Sequence, residues 1–162
     1  MNQQLFYEIV KEIEFLKKEG RYQDTHKFIQ HGQISVYTHC RNVAYVSCRL
    51  AEKYNIKVNR QSLIRGALLH DYFLYDWHEK GKGHGLHGFF HPGIALRNAK
   101  EDFSLSGIEE NIIYRHMFPL TVVPPTCREA WLVCLADKLC ALGETLSNIS
   151  FLRKWRLLSG QF

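Results

Sequence analysis

The sequence predicts an all-α fold of about seven helices. Three observations carry this expectation. Apolar residues recur at three- and four-residue intervals over most of the chain, no segment alternates apolar and polar residues as a strand would, and Gly and Pro concentrate in two stretches between the periodic runs. Leu5, Ile9, Ile13 and Leu16 form one stripe and Gly20 ends it, giving a first helix over about 3–19. Residues 21–34 are polar and broken by Gly32, and read as a loop or short helix. Val36, Val43, Val46 and Leu50 mark a second helix within 34–54. Leu63, Ile64, Ala67 and Leu68 mark a third, from Arg60 to about Tyr72.

Residues 76–90 hold four of the chain's 11 Gly and three of its His, the composition of a long binding loop rather than a regular element. Helix resumes at Pro92, a residue suited to a first helical position, and runs to about Ala99. Ser106 and Glu109 have the spacing of a capping box, opening a helix through Ile112 and Ile113 to His116. Pro119, Pro124 and Pro125 mark a second loop. A long apolar helix from about Thr126 to Leu146 and a short one around Phe151–Leu158 complete the set.

The 162 residues suit one domain, 1–162. With 46% hydrophobic and 23% charged residues of mixed sign, a mainly disordered chain is excluded. No apolar run approaches the roughly 20 residues of a spanning helix. The first twenty residues carry scattered acids, unlike a secretory signal. The five Cys are odd in number, lack any CxxC pair and lie mostly in apolar stretches, which places the chain in a reducing compartment, the cytoplasm. A net charge of +5 favours anionic ligands. Without a basic run or a nucleic-acid-binding signature, neither nucleic acid nor membrane is expected as a partner. An aromatic content of 13% allows an oligomer.

Several polar groups fall where the periodicity predicts core. Asp137 follows the apolar stretch 130–136 and shares a face with Ala130, Val133, Cys134 and Ala141. A buried carboxylate must be ion-paired, protonated or bound to metal. His70 and Asp71 end an apolar run, and His39 lies on the buried stripe between Val36 and Val43. His91 precedes Pro92, and His116 ends an apolar helix. Each has an ordinary structural explanation alone. Six imidazoles and carboxylates at core faces and helix ends of one small helical domain point together to metal.

These residues resemble the HD superfamily of metal-dependent phosphohydrolases, whose pattern is a His, a later His-Asp doublet and a distant Asp. His39 stands in THCRNVAYVSCRLAEKY, the doublet in GALLHDYF and Asp137 in CLADKLCAL. The resemblance spans about 31–146 and implies an HD-domain-like helical bundle, with the N-terminal helix and a C-terminal helix at about 150–158 added to it. His91-Pro92-Gly93-Ile94-Ala95 and His116 resemble the extra motifs of dinuclear members. The resemblance thus implies two ions, one held by His39, His70, Asp71 and Asp137, the other by His91, His116 and a bridging Asp71.

Mixed nitrogen and oxygen ligands suit Fe, Mn, Co, Ni or Zn, and in such a site metal-activated water does the work of a nucleophile. The small relatives that this chain looks like hydrolyse diadenosine polyphosphates and other nucleotides. The expected substrate is therefore a nucleotide or related small phosphate ester or anhydride. Tyr72, Phe73 and Leu74 follow the doublet where some cyclic-dinucleotide phosphodiesterases carry a Gly and a Lys, which argues against that substrate. Asp71 is the expected catalytic bridge, and His84 and His87 are candidates to protonate the leaving group. Arg97, Arg115 and His31 are candidate substrate contacts, whereas Arg41 and Lys138 are expected to turn to solvent. A non-catalytic nucleotide- or metal-binding module, and a di-iron oxygenase on the same ligands, are the alternatives.

Overall fold

A computed structural model describes residues 3–31, 33–77 and 87–146. Six α-helices, one 3₁₀ helix and a minimal two-stranded ladder make up these residues. The expected short C-terminal helix around 151–158 lies outside them.

Helix α1 (Gln3–Glu19) buries the expected stripe of Leu5, Ile9, Ile13 and Leu16. Its polar side is paired to the bundle by Glu8 with Arg60 and by Glu12 with Arg65. Residues 21–34 differ from the expectation of a helix or loop without strands. A 3₁₀ helix (Tyr22–Lys27) leads into β1 (Ile29–His31), which pairs antiparallel with β2 (Ile34–Ser35). So short a ladder leaves no alternation to detect.

Helix α2 (Val36–Lys53) is capped by the Ser35 hydroxyl and buries Val36, His39, Cys40, Val43, Ala44, Ser47, Cys48 and Ala51. Helix α3 (Arg60–Leu69) is capped by Asn59. It stops earlier than expected, because Asn98 donates from Nδ2 to the carbonyls of Tyr72 and Phe73, each at 3.0 Å. Leu74 then takes a left-handed φ of 52°, completing the reversal.

Helix α4 (His87–Asp102) starts five residues before the expected position. Pro92 sits inside it and forgoes the bond to the carbonyl four residues back. The His91 ring ties this turn instead, with Nδ1 3.0 Å from the His87 carbonyl. At its far end Asp102 accepts from Tyr72 Oη (2.6 Å) and from Arg21 Nε (2.9 Å). Burial works to raise the Asp102 carboxyl, but Arg21 and Tyr72 outweigh it and hold the carboxyl low.

Helix α5 (Gly107–Arg115) opens with the expected Ser106–Glu109 capping box. Helix α6 (Arg128–Leu146) follows the Pro-containing loop. Helix α2 packs most extensively on α3 and α6, α3 also on α5, and α5 on α4 and α6. The core between them holds Leu63, Leu68, Leu69, Ile112, Ile113 and Val133. At the crossing of α3 with α5, Gly66 lets Ile112 approach to where a Cβ would lie 2.5 Å from its Cδ1. No described helix is long and apolar enough to cross a membrane.

Candidate metal centre

The packing of α2, α3, α4, α5 and α6 brings six ligand-type side chains to one place. His39 enters from the first turn of α2, His70 and His116 from the C-caps of α3 and α5, His91 from the second turn of α4, and Asp137 from α6. Asp71 follows the end of α3. All six are buried, His39 and His70 completely.

Two of the histidines are placed by the same local device. The last carbonyls of a helix lack intrahelical donors. His70 Nδ1 fills that vacancy on Ala67 O (2.7 Å), and His116 Nδ1 does so on Ile113 O (2.8 Å). His91 Nδ1 bonds its own turn, and His39 Nδ1 faces Glu144 Oε2 at 2.8 Å. A carbonyl accepts only, so the Nδ1 atoms of His70, His91 and His116 carry protons. Their Nε2 atoms, and that of His39, point inward as prospective ligand atoms oriented by an outer partner.

The inward atoms form two groups that share Asp71. His39, His70 and Asp71 make one, and Asp71, His91 and His116 the other, with the ligand atoms of each within 4.8 Å of one another. Asp71 Oδ2 lies 3.6 Å from His39 Nε2 and 3.3 Å from His70 Nε2. Its Oδ1 lies 3.0 Å from His91 Nε2 and 3.5 Å from His116 Nε2. Asp137 Oδ1 adds to the first group, 3.1 Å from His39 Nε2 and 3.7 Å from His70 Nε2.

This arrangement fits a cation. His70 Nε2 and Asp71 Oδ1 are buried and make no hydrogen bond. His91 Nε2 and His116 Nε2 stand 2.8 Å apart although both rings hold their proton on Nδ1. Two lone pairs at that distance repel, and a cation between the ligand atoms removes the conflict. Without a cation, protons do part of this work. Burial opposes charging of His39, yet Asp137 and Glu144 raise it to about 10. His70, opposed by burial in the same way, is raised by Asp71. Burial would raise Asp71, but His70 and His91 hold its carboxyl well below the usual range. For Asp137, burial is likewise outweighed by His39 and His70. Burial and neighbouring His70 push His116 down to about 3, so it stays neutral.

The centre forms the floor of a cleft of about 730 Å³. Its walls include Trp77, His87, Met117, Leu120 and Lys138. His87 is held by Tyr75 Oη at 2.8 Å and stacks between Trp77 and His91. Lys138 is exposed, as expected, but its ammonium is not left to solvent alone. Its Nζ turns back to His116 O (2.9 Å) and Cys134 O (3.2 Å), where the negative end of α5 favours a cation.

The expected substrate contacts are placed less favourably. Arg97 does not line the cleft. It is exposed on a separate shallow depression beside Gly93 and Tyr114. Six residues beyond His91 on one helix put it about 240° around the axis. Arg115 packs over the Tyr114 ring at 5.4 Å and is not among the cleft-lining residues. His31 lies in β1 beside Gln30, its side chain outside the described set, and His84 lies outside the described residues.

Gln30 and Glu144 were not anticipated. Glu144 sits seven residues after Asp137, a spacing that repeats one helical face and was readable. Gln30 stands in a polar segment with no periodicity to mark it. No curated protein and no solved structure matches the chain. An HD domain family model matches residues 36–142, a span that contains His39, His70, Asp71, His91, His116 and Asp137. With two thirds of its length matched by that model, the chain belongs to the HD-domain family, a superfamily of metal-dependent hydrolases.

Proposed function

We propose that the protein is a metal-dependent phosphohydrolase that cleaves a phosphate ester or anhydride of a nucleotide or a related small molecule. The observation that carries this reading is a single buried carboxylate, Asp71, shared by two imidazole pairs at the floor of an open cleft. His39, His70, Asp71 and Asp137 would hold one divalent transition ion, and Asp71, His91 and His116 a second. Bound there, such ions supply a Lewis acid for phosphoryl oxygens and an activated water as nucleophile.

The rest is done by the chain. The outer partners of the four histidines fix the ring orientations before substrate arrives. Trp77, Met117, Leu120 and Ala141 line the cleft with apolar surface against which a planar or apolar substrate portion packs, excluding water. Lys138 adds positive charge at the wall. His87, steadied by Tyr75, stands where it can pass a proton to a departing oxygen.

The test is phosphate release from a panel of nucleoside mono-, di- and triphosphates, dinucleoside polyphosphates and simple phosphate esters, with Mn²⁺ or Fe²⁺ supplied. Metal-dependent turnover of at least one class is expected. Metal binding without turnover of any class would instead identify a binding module, and oxygen uptake by the iron-loaded protein would identify an oxygenase.

A further inference from the structure

Outside the six ligand-type residues, a side chain from the small β-ladder reaches the shared carboxylate. Gln30, on β1, is 7% exposed and lines the cleft together with Asp71. Its Nε2 donates to Asp71 Oδ2 at 2.6 Å. Its Oε1 is buried and accepts no hydrogen bond. The amide orientation is determined by this contact. Turned over, it would set Oε1 against a carboxylate oxygen, two acceptors with no proton between them.

A buried amide with one end unsatisfied costs folding free energy, and such a group is retained where it serves a site. We propose that Gln30 is a positioning residue of the metal centre. It locks the Asp71 carboxylate so that Oδ2 faces His39 and His70 while Oδ1 faces His91 and His116. It also offers Oε1 to a donor that enters the cleft, a water or a substrate hydroxyl. Rotation of an untethered carboxylate would remove one oxygen from one group or the other, so that neither ligand set stays complete. The inference rests on the reading that the centre binds metal.

Gln30→Met tests it, because methionine keeps the length and shape of the side chain but neither donates nor accepts strongly. Mn²⁺ affinity is measured by calorimetry on the full chain, and the visible spectrum of the Co²⁺-loaded protein reports the coordination. The expected result is a dissociation constant raised about tenfold or more, with an altered Co²⁺ spectrum. A space-filling role predicts unchanged affinity and spectrum in Gln30→Met, and that result overturns the proposal. If Gln30→Met fails to fold, Gln30→Ala is read in the same way, with circular dichroism confirming its fold. Absence of Mn²⁺ binding in the unmodified protein overturns the metal reading as well as this proposal, whereas unchanged affinity in the variant overturns this proposal alone.

Discussion

Replacing Asp71 by alanine is expected to lower phosphate release by on the order of 10³-fold or more, since a shared carboxylate contributes several kcal/mol of charge stabilisation to a two-ion site. The size of the effect follows from position. Asp71 is 1% exposed, and its two oxygens face four imidazoles. Truncation removes a ligand atom from both groups at once and leaves Gln30 Nε2 without its acceptor. It also takes from the raised His70 its main counter-charge, and breaking a buried pair costs about 3–5 kcal/mol. Alanine is therefore expected to lower the melting temperature as well. Asp71→Asn is the milder change. It gives up the negative charge as alanine does, but it keeps the shape and an acceptor oxygen for Gln30, and circular dichroism confirms its fold. Loss of activity and of metal in a folded Asp71→Asn protein is the expected outcome. A folded Asp71→Asn protein that retains its turnover would remove Asp71 from the reaction.

The second large effect is on pH. In the metal-free protein His39 is raised to about 10 and His70 lies well above an ordinary imidazole, so both are charged at neutral pH. His116, pushed down to about 3, is already neutral. Ligation requires neutral imidazoles, so a metal ion must displace protons from the His39–His70 side and none from His116. Affinity for Mn²⁺ should then rise about one to two log units per pH unit between about pH 6 and 8, one unit for each proton released. Stability without metal runs the other way. A folded value raised above the usual 6.5 contributes stability that is complete below 6.5 and is lost as pH rises through about 10. The melting temperature in chelator should fall on the alkaline side, and the gain on adding Mn²⁺ should widen. Calorimetry in buffers of different ionisation enthalpy counts the protons. A flat affinity profile would show that the imidazoles do not compete for ion and proton.

Much of this molecule was legible in the sequence wherever one residue type carries one physical meaning. The stripe from Leu5 to Leu16 could face only a core, and Ser106 with Glu109 could hardly do other than cap a helix. The six buried ligand-type residues stood out because each is costly in an apolar setting. Features that depend on tertiary partners were not legible. Pro92 looks like a helix start, yet α4 begins before it because His91 bonds back to the His87 carbonyl. Lys138 is exposed as a solvated charge would be, yet α5 also brings the His116 carbonyl to its ammonium. Arg97 is close to His91 in sequence, but helical rotation carries it to another face. Gln30 is neutral and sits outside any periodic run, and only the chain reversal before α2 delivers it to Asp71.

The central claim is that the four imidazoles and two carboxylates hold transition metal, and elemental analysis of protein purified without chelator tests it most directly. The account predicts one or two equivalents of a first-row transition metal per chain, lost in folded Asp71→Asn. A folded, unmodified protein that carries no such metal, and takes up none when Mn²⁺, Fe²⁺ or Zn²⁺ is offered at neutral pH, would contradict it.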